Sequence, residues 1–253
     1  MIQVEGLTRR YGATLAVASV SFRAAPGELI ALVGDSGSGK TTTLKMINRL
    51  IEPSAGKVLV DGRDVAAIEP HALRRSIGYV FQGIGLFPHM TVAENVAVPL
   101  RLAGWARDRI RSRVDELFRL VELDAAFGSR FPAALSGGEQ QRVGVARALA
   151  AAPRVMLLDE PFGALDPLTR DRLQRSFDEL RRRLSLTAVF VTHDVSEALI
   201  LGDRIGVMRA GRLVQLGTPA ELARSPADDE VARLMDTPRR HAQRVADRLE
   251  GRP

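Results

Sequence analysis

Residues Gly34-Asp35-Ser36-Gly37-Ser38-Gly39-Lys40-Thr41 fit the pattern G-x-x-x-x-G-K-[ST] at every position, and few segments so short constrain a fold so strongly. The apolar run Leu29-Ile30-Ala31-Leu32-Val33 enters it as a buried strand would. The run that leaves it from Thr42 carries Leu44, Ile47 and Ile51 at helical spacing, so the chain is expected to pass from strand through loop to helix. Glycines let such a loop curl until its NH groups converge on phosphate oxygens, and the helix that follows adds its positive end. Lys40 would then reach the outer phosphates of a nucleoside triphosphate, and Thr41 would offer a hydroxyl to Mg²⁺. The predicted nucleotide-binding set is Gly34, Asp35, Ser36, Gly37, Ser38, Gly39, Lys40, Thr41 and Thr42.

The 253 residues suffice for one large domain or a domain with a subdomain, and 45% hydrophobic with 26% charged residues is a globular balance. There is no cysteine, which excludes disulfides and thiolate metal sites. No signal peptide and no long uncharged apolar stretch is visible, so the expectation is a cytosolic chain that does not itself span a membrane. The formal charge of +6 is carried almost wholly by arginine, with lysine only at Lys40, Lys45 and Lys57. These charges are spread along the chain as on a solvated surface, and nucleic acid is not expected as a partner. The local excess is a short basic tail, residues 236–253, where Arg239, Arg240, Arg244, Arg248 and Arg252 outnumber Asp247 and Glu250; it reads as a solvated terminal helix.

Ile2-Gln3-Val4-Glu5-Gly6-Leu7-Thr8 alternates as a strand does, Ser19-Val20-Ser21-Phe22 repeats the signal, and Lys57 to Gly62 adds another, which suggests an antiparallel β layer. Ile77-Gly78-Tyr79-Val80-Phe81 is a buried strand ending on Gln82. Between about residues 86 and 148 the character changes to a helical insertion, marked by Ile110, Val114, Leu117, Phe118 and Val121 on one apolar face. Val155 to Leu158 and Thr187 to Val191 flank a helical Leu168 to Leu184, the signature of a parallel α/β core, and 205–216 closes the pattern as a hairpin.

Val155-Met156-Leu157-Leu158-Asp159-Glu160-Pro161 delivers two carboxylates to a strand's C-terminal end, the edge where ligands sit in open α/β sheets. Asp159 is placed to hold Mg²⁺ and Glu160 to orient or deprotonate an attacking water. His193 ends the next strand at the same edge. Leu135-Ser136-Gly137-Gly138-Glu139-Gln140 opens a helix and reads either as a simple cap or as a second phosphate cradle. One nucleotide does not need two cradles, so the second would serve a nucleotide held by another copy of the chain.

Taken together these residues resemble the ATP-binding subunits of ABC transporters over nearly the whole length. The resemblance implies an α/β P-loop NTPase fold with a mostly parallel core sheet, an N-terminal antiparallel β subdomain and a helical subdomain, all within residues 1–235. It implies that Gly34 to Thr41 is the Walker A loop, Gln82 the Q-loop glutamine that joins Thr41 and Asp159 on Mg²⁺, and Glu160, His193 and Gln82 the catalytic set. Ser136, Gly137, Gly138 and Glu139 match the signature motif, Ala164-Leu165-Asp166 the D-loop, and Tyr11 the aromatic residue that stacks on adenine. The implied cofactors are ATP and Mg²⁺. The implied partners are a second ATPase subunit, so that two chains sandwich two ATP, integral membrane permease subunits, and indirectly an extracytoplasmic solute-binding protein. The place would be the cytoplasmic face of the membrane.

Lys45-Met46-Ile47-Asn48-Arg49-Leu50-Ile51-Glu52-Pro53, with 77–82 and Gly85 to Thr91, is similar to the osmoprotectant branch, which imports glycine betaine, choline, carnitine or proline-type solutes. Many members of that branch carry a C-terminal pair of CBS modules, and this sequence is expected to lack them. An importer of another small solute, such as an amino acid or polyamine, is the alternative. A soluble ABC-type ATPase acting on nucleic acid fits less well, because a single set of motifs and a short insertion are present.

Overall fold

A computed structural model describes residues 1–83, 85–163 and 165–250. Ala164 of the expected D-loop and 251–253 of the expected tail, with Arg252, lie outside the described residues.

The chain opens with strands β1 (Ile2–Tyr11) and β2 (Thr14–Ala24), followed by β3 (Leu29–Val33) and helix α1 (Lys40–Ile47). Next come β4 (Ala55–Val60), β5 (Arg63–Asp64), α2 (Pro70–Ser76) and β6 (Ile77–Val80). The insertion supplies α3 (Val92–Leu102), α4 (Arg107–Leu120) and α5 (Gly137–Leu149), with short 3₁₀ turns before α5. The chain then forms β7 (Val155–Asp159), α6 (Pro167–Leu184), β8 (Thr187–Val191), α7 (Val195–Leu201), β9 (Arg204–Arg209), β10 (Arg212–Gly217), α8 (Pro219–Arg224) and α9 (Asp229–Leu249).

Two sheets result, a four-stranded one in the order β2-β1-β4-β5 and a six-stranded one in the order β10-β9-β3-β8-β7-β6. The first is antiparallel. In the second, β9, β3, β8, β7 and β6 run parallel and β10 returns antiparallel at the edge, as the closing hairpin requires. Successive strand residues point to opposite faces, so a parallel sheet covered on both sides needs continuous apolar runs. β3 meets this demand: Leu29, Ala31 and Val33 enter one core cluster, Ile30 and Leu32 the other. β7 and β8 divide in the same way, Met156, Leu158, Ala188 and Phe190 against Val155, Leu157, Val189 and Val191. One face is packed by α1 and the antiparallel sheet through Leu44, Met46, Ile47, Ile2, Val4 and Leu7. The insertion and α6 cover the other, with Val96, Leu117, Phe118, Val143 and Phe177. Each such large side chain contributes roughly 1.5–3 kcal/mol when withdrawn from water.

The helical stretch expected between 86 and 148 forms α3, α4 and α5, and Val114, Leu117, Phe118 and Val121 are buried as their spacing requires. The boundary expected at 235/236 falls inside α9, whose Val231 and Met235 are packed while Val245 and Leu249 are exposed.

Candidate nucleotide-binding site

β3 ends in the centre of the parallel sheet, and its loop returns over the strand end to start α1. Gly34 sits at φ 147, and a Cβ there would lie 2.0 Å from the carbonyl oxygen of Met208, so this turn admits only glycine. Beyond it the loop and neighbouring segments enclose a cleft of about 300 Å³ lined by Ser36, Gly37, Ser38, Gly39, Lys40, Thr41, Thr42, Gln82, Glu160 and Ala16. Gly34 and Asp35 contribute carbonyls that accept from Lys40 Nζ at 2.6 and 2.9 Å, with Ser38 Oγ at 3.3 Å. Burial pushes the Lys40 ammonium below its ordinary pKa, and the nearby Glu160, Asp35 and Asp159 push it back.

Thr41 Oγ1 donates to Asp159 Oδ1 at 2.8 Å, which joins the start of α1 to the end of β7. Asp159 is buried, and that burial raises its carboxyl above the usual range more than the Thr41 hydrogen bond lowers it. Hydroxyl and carboxylate oxygens side by side, with the carboxylate's charge under-compensated, suit a hard divalent cation that takes its remaining ligands from phosphate and water, as Mg²⁺ does.

Glu160 follows on the same strand end, in the left-handed region at φ 48, with its NH donating to Val191 O at 2.9 Å. That backbone turns its carboxylate across the edge of the sheet. Gln82 Nε2 donates to Glu160 Oε2 at 3.3 Å, and His193 Nδ1 lies 3.3 Å from Glu160 Oε1. Three groups from the ends of β6, β7 and β8 therefore meet at the mouth of the cleft.

The other expected residues are elsewhere. Ser136 caps α5 in a reciprocal box: its Oγ accepts from Glu139 N at 3.3 Å, and Glu139 Oε2 accepts from Ser136 N at 2.7 Å. Those hydrogen bonds hold the Glu139 carboxyl below its usual range. A Cβ at Gly138 would stand 2.6 Å from Thr169 Cγ2 on α6, a side chain that would have to shift to admit it. Ser136 and Gly137 are exposed, and none of 136–139 lines the cleft. Asp166 caps α6, accepting from Thr169 N at 3.0 Å. Tyr11, at the end of β1, is exposed with the Arg9 guanidinium 4.5 Å from its ring centroid. A larger hollow of about 600 Å³ between α3 and α4 contains none of these groups.

Several residues that support the site carry no sequence signal of their own. Ala16, on β2, forms part of the cleft wall. Asn95 is fully buried, accepts from Phe87 N at 2.8 Å and donates to Met90 O at 3.1 Å, which shapes the loop after Gln82. Arg147 on α5 donates to Gly85 O at 2.8 Å, tying the same loop to the helix that Ser136 caps. Glu197 on the short α7 is a buried acid whose Oε2 accepts from Thr192 Oγ1 at 2.6 Å, beside the turn that carries His193.

The family model for ABC transporters matches residues 17–163. The choline transport ATP-binding protein OpuBA of Bacillus subtilis (strain 168) is 51% identical over 91% of this chain and 61% of its own length. The glycine betaine uptake system ATP-binding protein YehX of Escherichia coli (strain K12) is 47% identical over 91% of this chain and 75% of its own. Among solved structures, a dimeric ATP-binding cassette in a post-hydrolysis state bound to ADP and Pi superposes with a TM-score of 0.78 at 33% identity, covering 86% of this chain and 98% of that one. The chain belongs to the ABC transporter family and has the ABC ATPase fold. It spans 61% of the length of the relative OpuBA.

Proposed function

We propose that the chain is the ATP-hydrolysing subunit of an ABC importer and powers uptake of quaternary ammonium osmoprotectants such as glycine betaine or choline. The observation that carries the catalytic part is the meeting of Lys40, the Thr41–Asp159 pair, Gln82, and the Glu160–His193 contact at one sheet edge. The names of the relatives, choline transport and glycine betaine uptake, support the solute class.

In this reading the loop NH groups and the end of α1 hold the phosphates of ATP. Lys40 exchanges the carbonyls of Gly34 and Asp35 for phosphate oxygens, which supply the counter-charge its burial withholds. Mg²⁺, held by Thr41, Asp159 and Gln82, would neutralise charge on the transferred phosphoryl group. Glu160 accepts a hydrogen bond from the attacking water and aligns it, while His193 and Gln82 hold that carboxylate from either side. No metal-independent carboxylate pair is needed, because phosphoryl transfer depends chiefly on positioning and charge stabilisation.

The exposed cap at Ser136 supports a pair of chains, each offering 136–139 and Asp166 to the nucleotide on the other, with Tyr11 at the adenine. The segment from Gln82 to Met90 and the helical insertion that follows it are proposed to meet the permease, which the solute-binding protein would supply from the far side of the membrane. Among the described residues no helix is long and apolar enough to cross a membrane, and a peripheral place on the cytoplasmic face is part of the proposal. In a deletion strain, uptake of glycine betaine or choline is expected to fail while sugar uptake persists; unchanged uptake of both osmolytes would remove the solute assignment.

A further inference from the structure

Between the loop that follows Glu160 and the turn that carries His193 lies a polar cluster centred on Arg170, on the first turns of α6. Its Nη2 donates to Leu165 O at 3.1 Å, the carbonyl next to Asp166. Its Nη1 lies 3.8 Å from Asp194 Oδ2 and its Nε 3.7 Å from Glu197 Oε1. Glu197 is 4% exposed, and its other oxygen accepts from Thr192 Oγ1 at 2.6 Å, while Gln174 Nε2 donates to Oε1 at 3.2 Å. The same Thr192 hydroxyl accepts from Asp194 N at 3.0 Å. The residues on both sides of His193 are thus hydrogen-bonded into the cluster, and the far end of the loop after Glu160 is bound to it by one guanidinium.

Such an arrangement opposes what burial alone favours. A carboxylate removed from water is costly unless paired, and an apolar residue of similar volume at 197 would pack without that cost. His193 itself is largely exposed and, among the described residues, has Glu160 as its ionic partner, so its own turn does most to fix it. An Arg fork suits this task because it hydrogen-bonds Leu165 O while its other nitrogens stand at ion-pair distance from Asp194 and Glu197, an arrangement of fixed directions that a lysine's single ammonium does not offer.

We propose that Arg170, acting through Glu197 and Thr192, is a positioning residue that couples the loop at Leu165–Asp166 to His193 and so sets the Glu160–His193 contact. When that loop is correctly seated, the guanidinium draws Asp194 and Glu197 into place and His193 faces Glu160; when it is displaced, His193 loses its orientation. This rests on the catalytic reading above.

The test uses the purified chain with MgATP. Arg170→Ala and Arg170→Lys should lower kcat on the order of ten- to a hundredfold, the scale of an ångström's misplacement near a reacting group. Nucleotide affinity, measured with a fluorescent ATP analogue, should stay within about twofold, because among the described residues no side-chain hydrogen bond or ion pair joins the loop 34–42 or Asp159 to the cluster. In a His193→Ala background, Arg170→Ala should add no further loss, since residues that act as a unit are non-additive. The conservative lysine variant retains stem and charge and guards against a simple folding failure. Full parental kcat in both Arg170 variants, additive losses with His193→Ala, or equal loss of binding and turnover would each overturn the proposal. A parental chain that binds no ATP would instead overturn the catalytic reading itself.

Discussion

The loop at Gly34 to Thr42 and the turn at Ser136 to Glu139 are both glycine-bearing helix starts, yet they treat their polar groups in opposite ways. At the first, Lys40 and Asp159 are buried, and burial displaces the pKa of each in the direction that discharges it. At the second, Ser136 and Glu139 close on each other in a capping box, and the exposed turn satisfies its own donors. The first region holds its charged groups out of water, where a charged ligand would relieve them; the second satisfies its own donors and leaves its outer face open to solvent. Two helix N-termini with similar composition therefore differ in the environment of their polar groups, a property that residue type alone does not convey.

The largest effects should separate binding from turnover at the buried region. Lys40→Ala is expected to abolish ATP binding in equilibrium dialysis or fluorescence titration, whereas Glu160→Gln should bind ATP and lose at least about a hundredfold in kcat. Parental turnover in Glu160→Gln would show that another group aligns the water.

Backbone crowding gives the next contrast. Gly34→Ala places a methyl against the fixed carbonyl of Met208, and Gly138→Ala places one against the movable Thr169 side chain. The first should cost more than about 3 kcal/mol and the second about 1 kcal/mol, readable as denaturant midpoints. Equal costs would mean that the two turns are equally rigid, contrary to the comparison.

Ser136→Ala should cost only about 1 kcal/mol of stability, the value of an N-cap. Its sharper consequence belongs to association: sizing Glu160→Gln with saturating MgATP should show a dimer, and Glu160→Gln with Ser136→Ala a monomer. A dimer in both would leave the turn a cap and nothing more.

The smallest effect concerns pH. Glu139 has its folded pKa lowered by the hydrogen bonds from Ser136, so its contribution is present above the unfolded carboxylate value and is lost as pH falls through the lowered folded value. The stability difference between the parent and Glu139→Gln should accordingly shrink in mild acid. A difference that is constant from neutral pH to acid would show that the capping box does not depend on charge.

Much of the fold was legible because β3, β7 and β8 are covered on both faces and write that demand as unbroken apolar runs. The cleft was legible for a related reason: the loop, Asp159-Glu160 and His193 each sit directly at a strand end, so local sequence places them. The antiparallel layer was less so, since β1 and β2 pair through several register shifts that alternation cannot reveal. Least visible were Asn95, Arg147 and Arg170. Arg147 reaches Gly85, 62 residues away, while Asn95 bonds the nearby loop at Phe87 and Met90; in either case a single polar contact has no period to betray it.

Glu160 occupies a backbone conformation that L side chains other than asparagine and aspartate seldom adopt. Glycine or asparagine would rest there with less strain, so a library of this chain sorted for heat resistance alone should drift away from glutamate at 160, and one sorted for the proposed transport activity should restore it. The identity of this one residue would then report, without any assay, which of the two pressures a population had last experienced.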